Sequence, residues 1–315
     1  MSRYLMSALM QHRPPLGRRL AFARARLSAR LRSGPARSPE RGVLAATAAP
    51  VQAMGLSFPN PLGIAAGFDK RGVLGREAGA LGFGCIEVGT LTPQAPALGL
   101  PTERSPGAAG IILGINIGMS PHTPPQQAQQ DYLVGLRAVW DRADYIAINL
   151  CSAQASALLC PSREAALEAL LVALKQEQRA LTVLSGRYVP LAVKIKLALG
   201  AVALPEVVNQ LAALGFDALI AAIDAGPPAT PQRYADWQAP ASQRQACYQV
   251  DRLATVLAGH LPIIAVGGIS AAWHVDERLR AGATLVQLHN ALVYEGPRVA
   301  LAIHKAALPA APSPV

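Results

Sequence analysis

From about residue 60 the chain alternates short apolar runs with stretches of helical periodicity. The runs are rich in alanine and β-branched residues, which is typical of parallel strands buried on both faces. Strands that alternate with helices in this way predict a (β/α)8 barrel, and a doubly wound open sheet is the alternative. The predicted strands lie at residues 62–66, 85–90, 114–118, 145–150, 191–196, 218–223, 263–269 and 285–292. The predicted helices lie at residues 71–81, 125–142, 163–184, 203–214, 247–259, 271–281 and 297–307.

One unit of this pattern is irregular. Residues 91–113, between the second and third predicted strands, are rich in proline and glycine and lack a helical period. Such a segment is a poor helix former. We therefore expect a shortened crossover between these two strands of the α/β barrel.

The first residues form a separate pattern, which predicts a helical arm over residues 1–44 before a barrel over residues 45–315. Apolar residues recur every three or four positions, as on one face of a helix. They are Leu16, Leu20, Ala23, Leu27 and Leu31. Pro14 and Pro15 suit the first turn of this helix, and Gly34 with Pro35 predicts its end.

Length, charge and cysteine content indicate the class of protein and the partners of the basic arm. Its 315 residues suit one barrel with an appendage, and 51% hydrophobic with 15% charged residues indicates a packed protein. The net charge of +10 is concentrated in residues 1–42, which hold ten arginines and one acid. Arginines beside an apolar face favour contact with anionic lipid, and a helix packed on the barrel or a targeting peptide are alternatives. The cysteines form no C-x-x-C pair, so we expect a reducing compartment and no metal.

Polar residues at the predicted strand ends point to a cofactor site, because parallel barrels place their sites at the carboxyl ends of the strands. Lys194 lies inside the apolar run AVKIK and needs an anionic partner if it is buried. Gly267 and Gly268 follow the seventh strand and could cradle a phosphate with their amides. The set suits a planar, phosphorylated cofactor.

The segments MGLSFPNPLGIAAGFDKRG, LGFGCIEVGTLTP, GINIG, DYIAIN, VPLAVKIK, LPIIAVGGI and AGATLVQL occur in this order. Together they resemble the class 2 dihydroorotate dehydrogenases, which are membrane-associated and reduce quinones. The resemblance implies a barrel that binds FMN, oxidises dihydroorotate to orotate and passes electrons to a quinone. It further implies peripheral contact of the arm with the cytoplasmic side of a membrane. The basic arm alone leaves nucleic acid as a second candidate, but we expect no nucleic acid as partner.

The resemblance also implies residue roles. Ser152 falls at the position of the catalytic base, and Lys70, Asn149 and Gln154 at the substrate. The residues expected to contact FMN or its phosphate are Ala66, Gly67, Thr90, Asn116, Asn149, Lys194, Gly268, His289 and Asn290.

Several positions depart from the family pattern. The family's asparagine-rich substrate loop is missing from residues 91–113. Its Ser-Ser-Pro-Asn is replaced by residues 151–154 (CSAQ), its Thr-Asn-Thr by residues 222–224 (AID), and its Ser-Gly-Arg-Pro by residues 242–245 (SQRQ). Cys151 is a substitute base in principle, although it lies one residue away. These losses leave two alternatives open, which are a catalytically impaired FMN-binding relative and a flavin oxidoreductase with another substrate.

Overall fold

A computed structural model describes residues 3–33, 50–94, 110–223 and 230–307. Its centre is a closed barrel of eight parallel strands, in which β10 pairs with both β3 and β9. The predicted barrel is thus confirmed, and the open sheet is excluded. An antiparallel hairpin, formed by β1 (Val51–Ala53) and β2 (Leu56–Phe58), precedes it. The barrel strands are β3 (Leu62–Asp69), β4 (Cys85–Leu91), β5 (Ile112–Ile117), β6 (Tyr145–Asn149), β7 (Leu191–Leu197), β8 (Ala218–Ile223), β9 (Ile263–Val266) and β10 (Leu285–Leu288).

Helices surround the barrel and form an arm before it. They are α1 (Arg3–His12), α2 (Pro14–Ser33), α3 (Ala128–Val139), α4 (Ala153–Ser156), α5 (Glu164–Ser185), α6 (Val207–Ala213), α7 (Pro231–Gln238), α8 (Pro240–Leu257), α9 (Ala272–Arg280), α10 (Asn290–Tyr294) and α11 (Val299–Ala307). The sequence pattern missed α4, α7 and α10, and it placed the start of α8 too late. The helix expected at residues 71–81 is a 3₁₀ helix over Gly75–Leu81.

Two predicted strands end earlier than expected. The run at 263–269 is a strand only to Val266, and the run at 285–292 is a strand only to Leu288. Asn290 already begins α10. The first correction places a loop, and the second a turn followed by a helix, where a strand was predicted at the carboxyl mouth of the barrel.

The interior of the barrel is apolar at the amino ends of the strands and polar towards their carboxyl ends. Cys85, Tyr145 and Leu285 start three strands and form a buried cluster with Phe58 of the hairpin. The rings of Phe58 and Tyr145 lie 6.5 Å apart, so the hairpin closes this end of the barrel. Because side chains alternate along a strand, the next inward position of β4 is Glu87. Functional groups therefore gather at the opposite, carboxyl end.

The arm packs on the carboxyl mouth, against the 3₁₀ helix and α10. Its packed face is a stripe of small residues, in which Ala21, Ala25 and Ala29 are fully buried. Leu27 and Leu31, which belong to the predicted apolar face, are 59% and 71% exposed. The arm thus docks through alanines and turns leucines outward.

Some predictions fall on residues 34–49, 95–109 and 224–229, which are outside the described ranges. They are the end of the arm at Gly34 and Pro35, the boundary at residue 44, the lost substrate loop and Asp224. The described helices include none with the length and apolarity needed to cross a bilayer.

Candidate active site

A cavity of about 380 Å³ opens at the carboxyl ends of β3, β7, β8, β9 and β10. This volume lies within the range of small-ligand and cofactor pockets, roughly 300–1,000 Å³. Predicted site residues that line it are Ala66, Gly67, Lys70, Lys194, Gly268, His289 and Asn290. The structure therefore brings most of the predicted cofactor set, and one predicted substrate residue, to a single wall.

Thr90, Asn116 and Asn149 lie beside this cavity, in a chain of hydrogen bonds. The Asn149 amide donates to Thr90 Oγ1 at 2.9 Å, and the Thr90 hydroxyl donates to Asn116 Oδ1 at 2.6 Å. The Asn116 amide then donates to the Glu87 carboxylate at 3.4 Å. The two asparagines thus have the partners that burial in apolar strands requires.

Glu87 is the centre of the polar interior, and sequence reasoning missed it. Its carboxylate is fully buried and lies 3.5 Å from the Lys194 ammonium, whose side chain is 9% exposed. The Gln287 amide donates to the same carboxylate at 3.3 Å. The predicted anionic partner of Lys194 is therefore Glu87. The available signal was an acid inside the apolar run CIEVGT, which is as unusual as a lysine in AVKIK.

Gln287 contributes an unused acceptor to the cavity wall. Its amide nitrogen reaches Glu87 and the Tyr145 hydroxyl, each at 3.3 Å. Its Oε1 atom is buried and has no hydrogen-bond partner among the described residues. Since a buried acceptor without a donor costs about 1–3 kcal/mol, the site fits a ligand that brings an N–H or O–H group.

The glycine pair after β9 is explained by packing. A side chain at Gly267 would lie 2.2 Å from the Ile223 carbonyl, and one at Gly268 would lie 2.1 Å from the Trp237 ring. Gln243 holds this arrangement by donating to the carbonyls of Trp237 and Gly268, at 2.6 and 2.9 Å. Residues 242–245, where the resemblance implies a Ser-Gly-Arg-Pro turn, are part of α8.

His289 and Asn290 form the turn between β10 and α10. Their side chains are 3.1 Å apart, from Nδ1 to Oδ1, and the His289 ring meets the Phe68 ring edge-on at 6.1 Å. Burial lowers the pKa of His289, and the nearby charges of Lys194 and Arg18 lower it further. The imidazole is therefore neutral at physiological pH and offers one donor and one acceptor.

Ser152 and Gln154 do not line the described cavity. Ser152 caps α4, where its hydroxyl oxygen accepts from the Ala155 amide at 3.1 Å, and Gln154 is exposed. Cys151 lies against β7, with its thiol 3.6 Å from the Lys194 carbonyl. Burial raises the pKa of Cys151 to about 11, so this residue is a thiol at neutral pH and a poor substitute base.

The charge of the cavity is positive. Arg18, Lys70 and Lys194 line it, and the part of the wall that the structure describes contains no carboxylate. Aromatic rings of Tyr234 and Trp237 complete the wall. Sequence reasoning missed Arg18 and both rings, because nothing in a helix with many arginines singles out one of them. A planar group with an anionic tail fits these walls, and FMN has this chemistry.

The fold and site define a (β/α)8 barrel enzyme class with a cationic cofactor cavity at the carboxyl mouth. The family model for dihydroorotate dehydrogenase matches residues 48–105 and 100–309. The chain therefore belongs to the dihydroorotate dehydrogenase family.

Relatives at this level of similarity carry a common name. The dihydroorotate dehydrogenase (quinone) of Aeromonas hydrophila is 37% identical over 290 residues, covering 79% of this chain and 84% of the relative. The protein of that name from Chromobacterium violaceum is 39% identical over 285 residues, covering 79% and 82%. A crystal structure of DHODH with ferulenol from Eimeria tenella superposes with a TM-score of 0.69 at 24% identity, covering 91% and 89%, and shares the fold.

The Glu87–Lys194 pair can be tested by substitution. We expect Glu87→Gln to lower the free energy of unfolding by about 3–5 kcal/mol, because the Lys194 ammonium would be left buried without a counter-ion. Urea unfolding followed by circular dichroism measures this change. Glu168→Gln, at an exposed position of α5, is the matched control and should stay within about 0.5 kcal/mol of the parent.

The Glu87–Lys194 pair also predicts that the stability losses of the two single variants do not add. The double variant Glu87→Gln/Lys194→Met removes both charges and should lose less stability than the two single variants together. Strict additivity would show that the two charges do not interact.

Proposed function

We propose that this chain oxidises dihydroorotate to orotate with bound FMN and passes the electrons to a quinone, in pyrimidine biosynthesis. The observation that carries the proposal is the cationic cavity at the carboxyl mouth, in a chain of this family. The names of its relatives favour this activity over an impaired relative or a different substrate. When bound, FMN supplies the acceptor for a hydride.

We assign the contacts with FMN to the following residues of the chain. Ala66 and Gly67 leave room for a flat ring beside β3, and Lys194, Thr90, Asn116 and Asn149 supply polar contacts. The phosphate lies at Gly268, His289 and Asn290. The Lys194 ammonium, fixed by Glu87, favours negative charge on the ring that faces it.

Ser152 acts as the base, while Lys70, Asn149 and Gln154 contact the substrate. The Lys70 side chain is exposed at the cavity wall, where its charge attracts the substrate carboxylate. A proton leaves one substrate carbon for the base as a hydride leaves its neighbour, so two electrons and two protons are removed. Cys151 lies between Asn149 and Ser152, where its amide donates to Asn149 Oδ1 at 2.9 Å and fixes this turn.

The proposed activity is tested on the purified protein after reconstitution with FMN. Dihydroorotate added without air should bleach the visible flavin band, and a short-chain quinone should restore it. A flavin that stays oxidised would favour the impaired relative. A protein that binds no FMN would remove the basis of the proposal.

Two substitutions distinguish a catalytic role of Ser152 from its role as the cap of α4. We expect Ser152→Ala to slow flavin reduction by about 10²–10⁴-fold, because the base is lost. Ser152→Asn restores an acceptor for the Ala155 amide, since asparagine caps helices about as well as serine, but it supplies no base. Stopped-flow reduction and the thermal midpoint are measured for both variants. If the asparagine variant recovers the rate, Ser152 is only a cap.

For the arm we propose peripheral binding to the cytoplasmic side of a membrane. The support is the outward stripe of Leu16, Leu27 and Leu31 beside many arginines, the pattern of helices that lie in a lipid interface. The quinone would then reach the cavity from the lipid, because the arm covers the same mouth of the barrel.

Vesicles of anionic lipid test the arm. We expect the protein to float with them, and the pair Leu27→Ser/Leu31→Ser to weaken binding by at least about tenfold, since two apolar side chains leave the lipid. The pair Val183→Ser/Leu184→Ser is the control, as these residues are 86% and 84% exposed on α5. Equal loss in both pairs would contradict a specific role of the arm.

A further inference from the structure

Arg18 differs from the other arginines of the arm because it lines the cofactor cavity. It lies on α2, between the buried Gly17 and the exposed Arg19. Its own side chain is half-buried. The arm is therefore both a cover over the barrel and a part of the cavity wall.

The Arg18 guanidinium has no counter-ion of its own. Among the described residues no hydrogen bond or ion pair to it is found, and the described wall contains no carboxylate. Its neighbours across the cavity include Lys194 and the half-buried His289, whose pKa its charge helps to lower. Because Lys194 is already paired with Glu87, a bound anion would offset the charge of Arg18 rather than that of Lys194.

The helix that carries Arg18 is held in place by contacts of two neighbouring residues. Phe22, one turn further along α2, contacts Phe68 at a ring distance of 5.8 Å, and Phe68 contacts His289. Arg24, on the same helix, lies close to Gly296 after α10. The arm is thus fixed against the turn at His289 and Asn290, so α2 holds residue 18 beside the cavity before a ligand arrives.

We propose that Arg18 binds the phosphate of the flavin nucleotide, so that docking of the arm completes the cofactor site. This rests on the proposed function above. A phosphate monoester is the one dianionic group of FMN, and a planar guanidinium recognises it with two parallel hydrogen bonds. The Asn290 side-chain NH2 group supplies a further donor at the same turn, while the Nδ1 proton of the neutral His289 imidazole is used on Asn290 Oδ1.

The test compares two ligands, FMN and riboflavin, which differ only in the phosphate. Quenching of flavin fluorescence is titrated on apoprotein of the parent, Arg18→Ala and Arg19→Ala. We expect Arg18→Ala to weaken FMN binding by roughly tenfold to a hundredfold, the range for a charge-assisted contact, and to leave riboflavin binding unchanged. Arg19→Ala, one residue along on the exposed side, should change neither.

Further variants keep the outcome clear. The FMN affinity of Arg18→Lys should lie between those of the parent and Arg18→Ala. Lysine keeps the positive charge but cannot make the two parallel hydrogen bonds of a guanidinium. Arg18→Gln replaces the alanine variant if that one fails to fold by circular dichroism. Equal weakening of both flavins, or no change in FMN binding, would overturn the phosphate contact while the flavin function stands. A parent protein that binds neither flavin would overturn the proposed function and this contact together.

Discussion

A single buried carboxylate organises the polar half of this barrel. Glu87 on β4 receives donors from β5, β7 and β10, through Asn116, Lys194 and Gln287. A lone carboxylate in this interior would be very costly, so its partners fix one another in position. The cavity floor is therefore set by strands, and small changes in the loops above leave the Lys194 ammonium where it is.

The upper wall of the cavity is built differently, by packing of helices on glycines. Trp237 lies on Gly268, and Gln243 ties both to α8 while the Arg278 guanidinium donates to the Gln243 side chain at 2.9 Å. Burial lowers the pKa of the adjacent His274 to about 4, so its Nδ1 atom remains an acceptor for the Ser270 amide at 3.1 Å. The loop after β9 is thus held by hydrogen bonds from α8 and α9.

Sequence patterns predicted the strands well and the site in part. Runs of alternating small and branched residues locate strands, and Lys194 in an apolar run indicated a buried counter-ion. The end of β10 was missed because the apolar residues of α10 follow it without a break, and periodicity cannot separate a short strand from a short helix. The packed face of α2 was missed because hydrophobicity favours leucine, whereas close approach to the barrel favours alanine. Arg18 and Glu87 depend on contacts between residues far apart in the chain, which no local pattern contains.

The hairpin below the barrel has a consequence for how the chain can vary. Phe58 and its neighbours seal the amino-terminal mouth with residues that follow the arm in sequence. The described helices of the arm, α1 and α2, contribute no residue to that cluster and pack at the other end of the barrel. Changes in the first thirty or so residues therefore leave this end of the barrel closed, whereas they alter the wall of the cavity at the other end, to which Arg18 belongs.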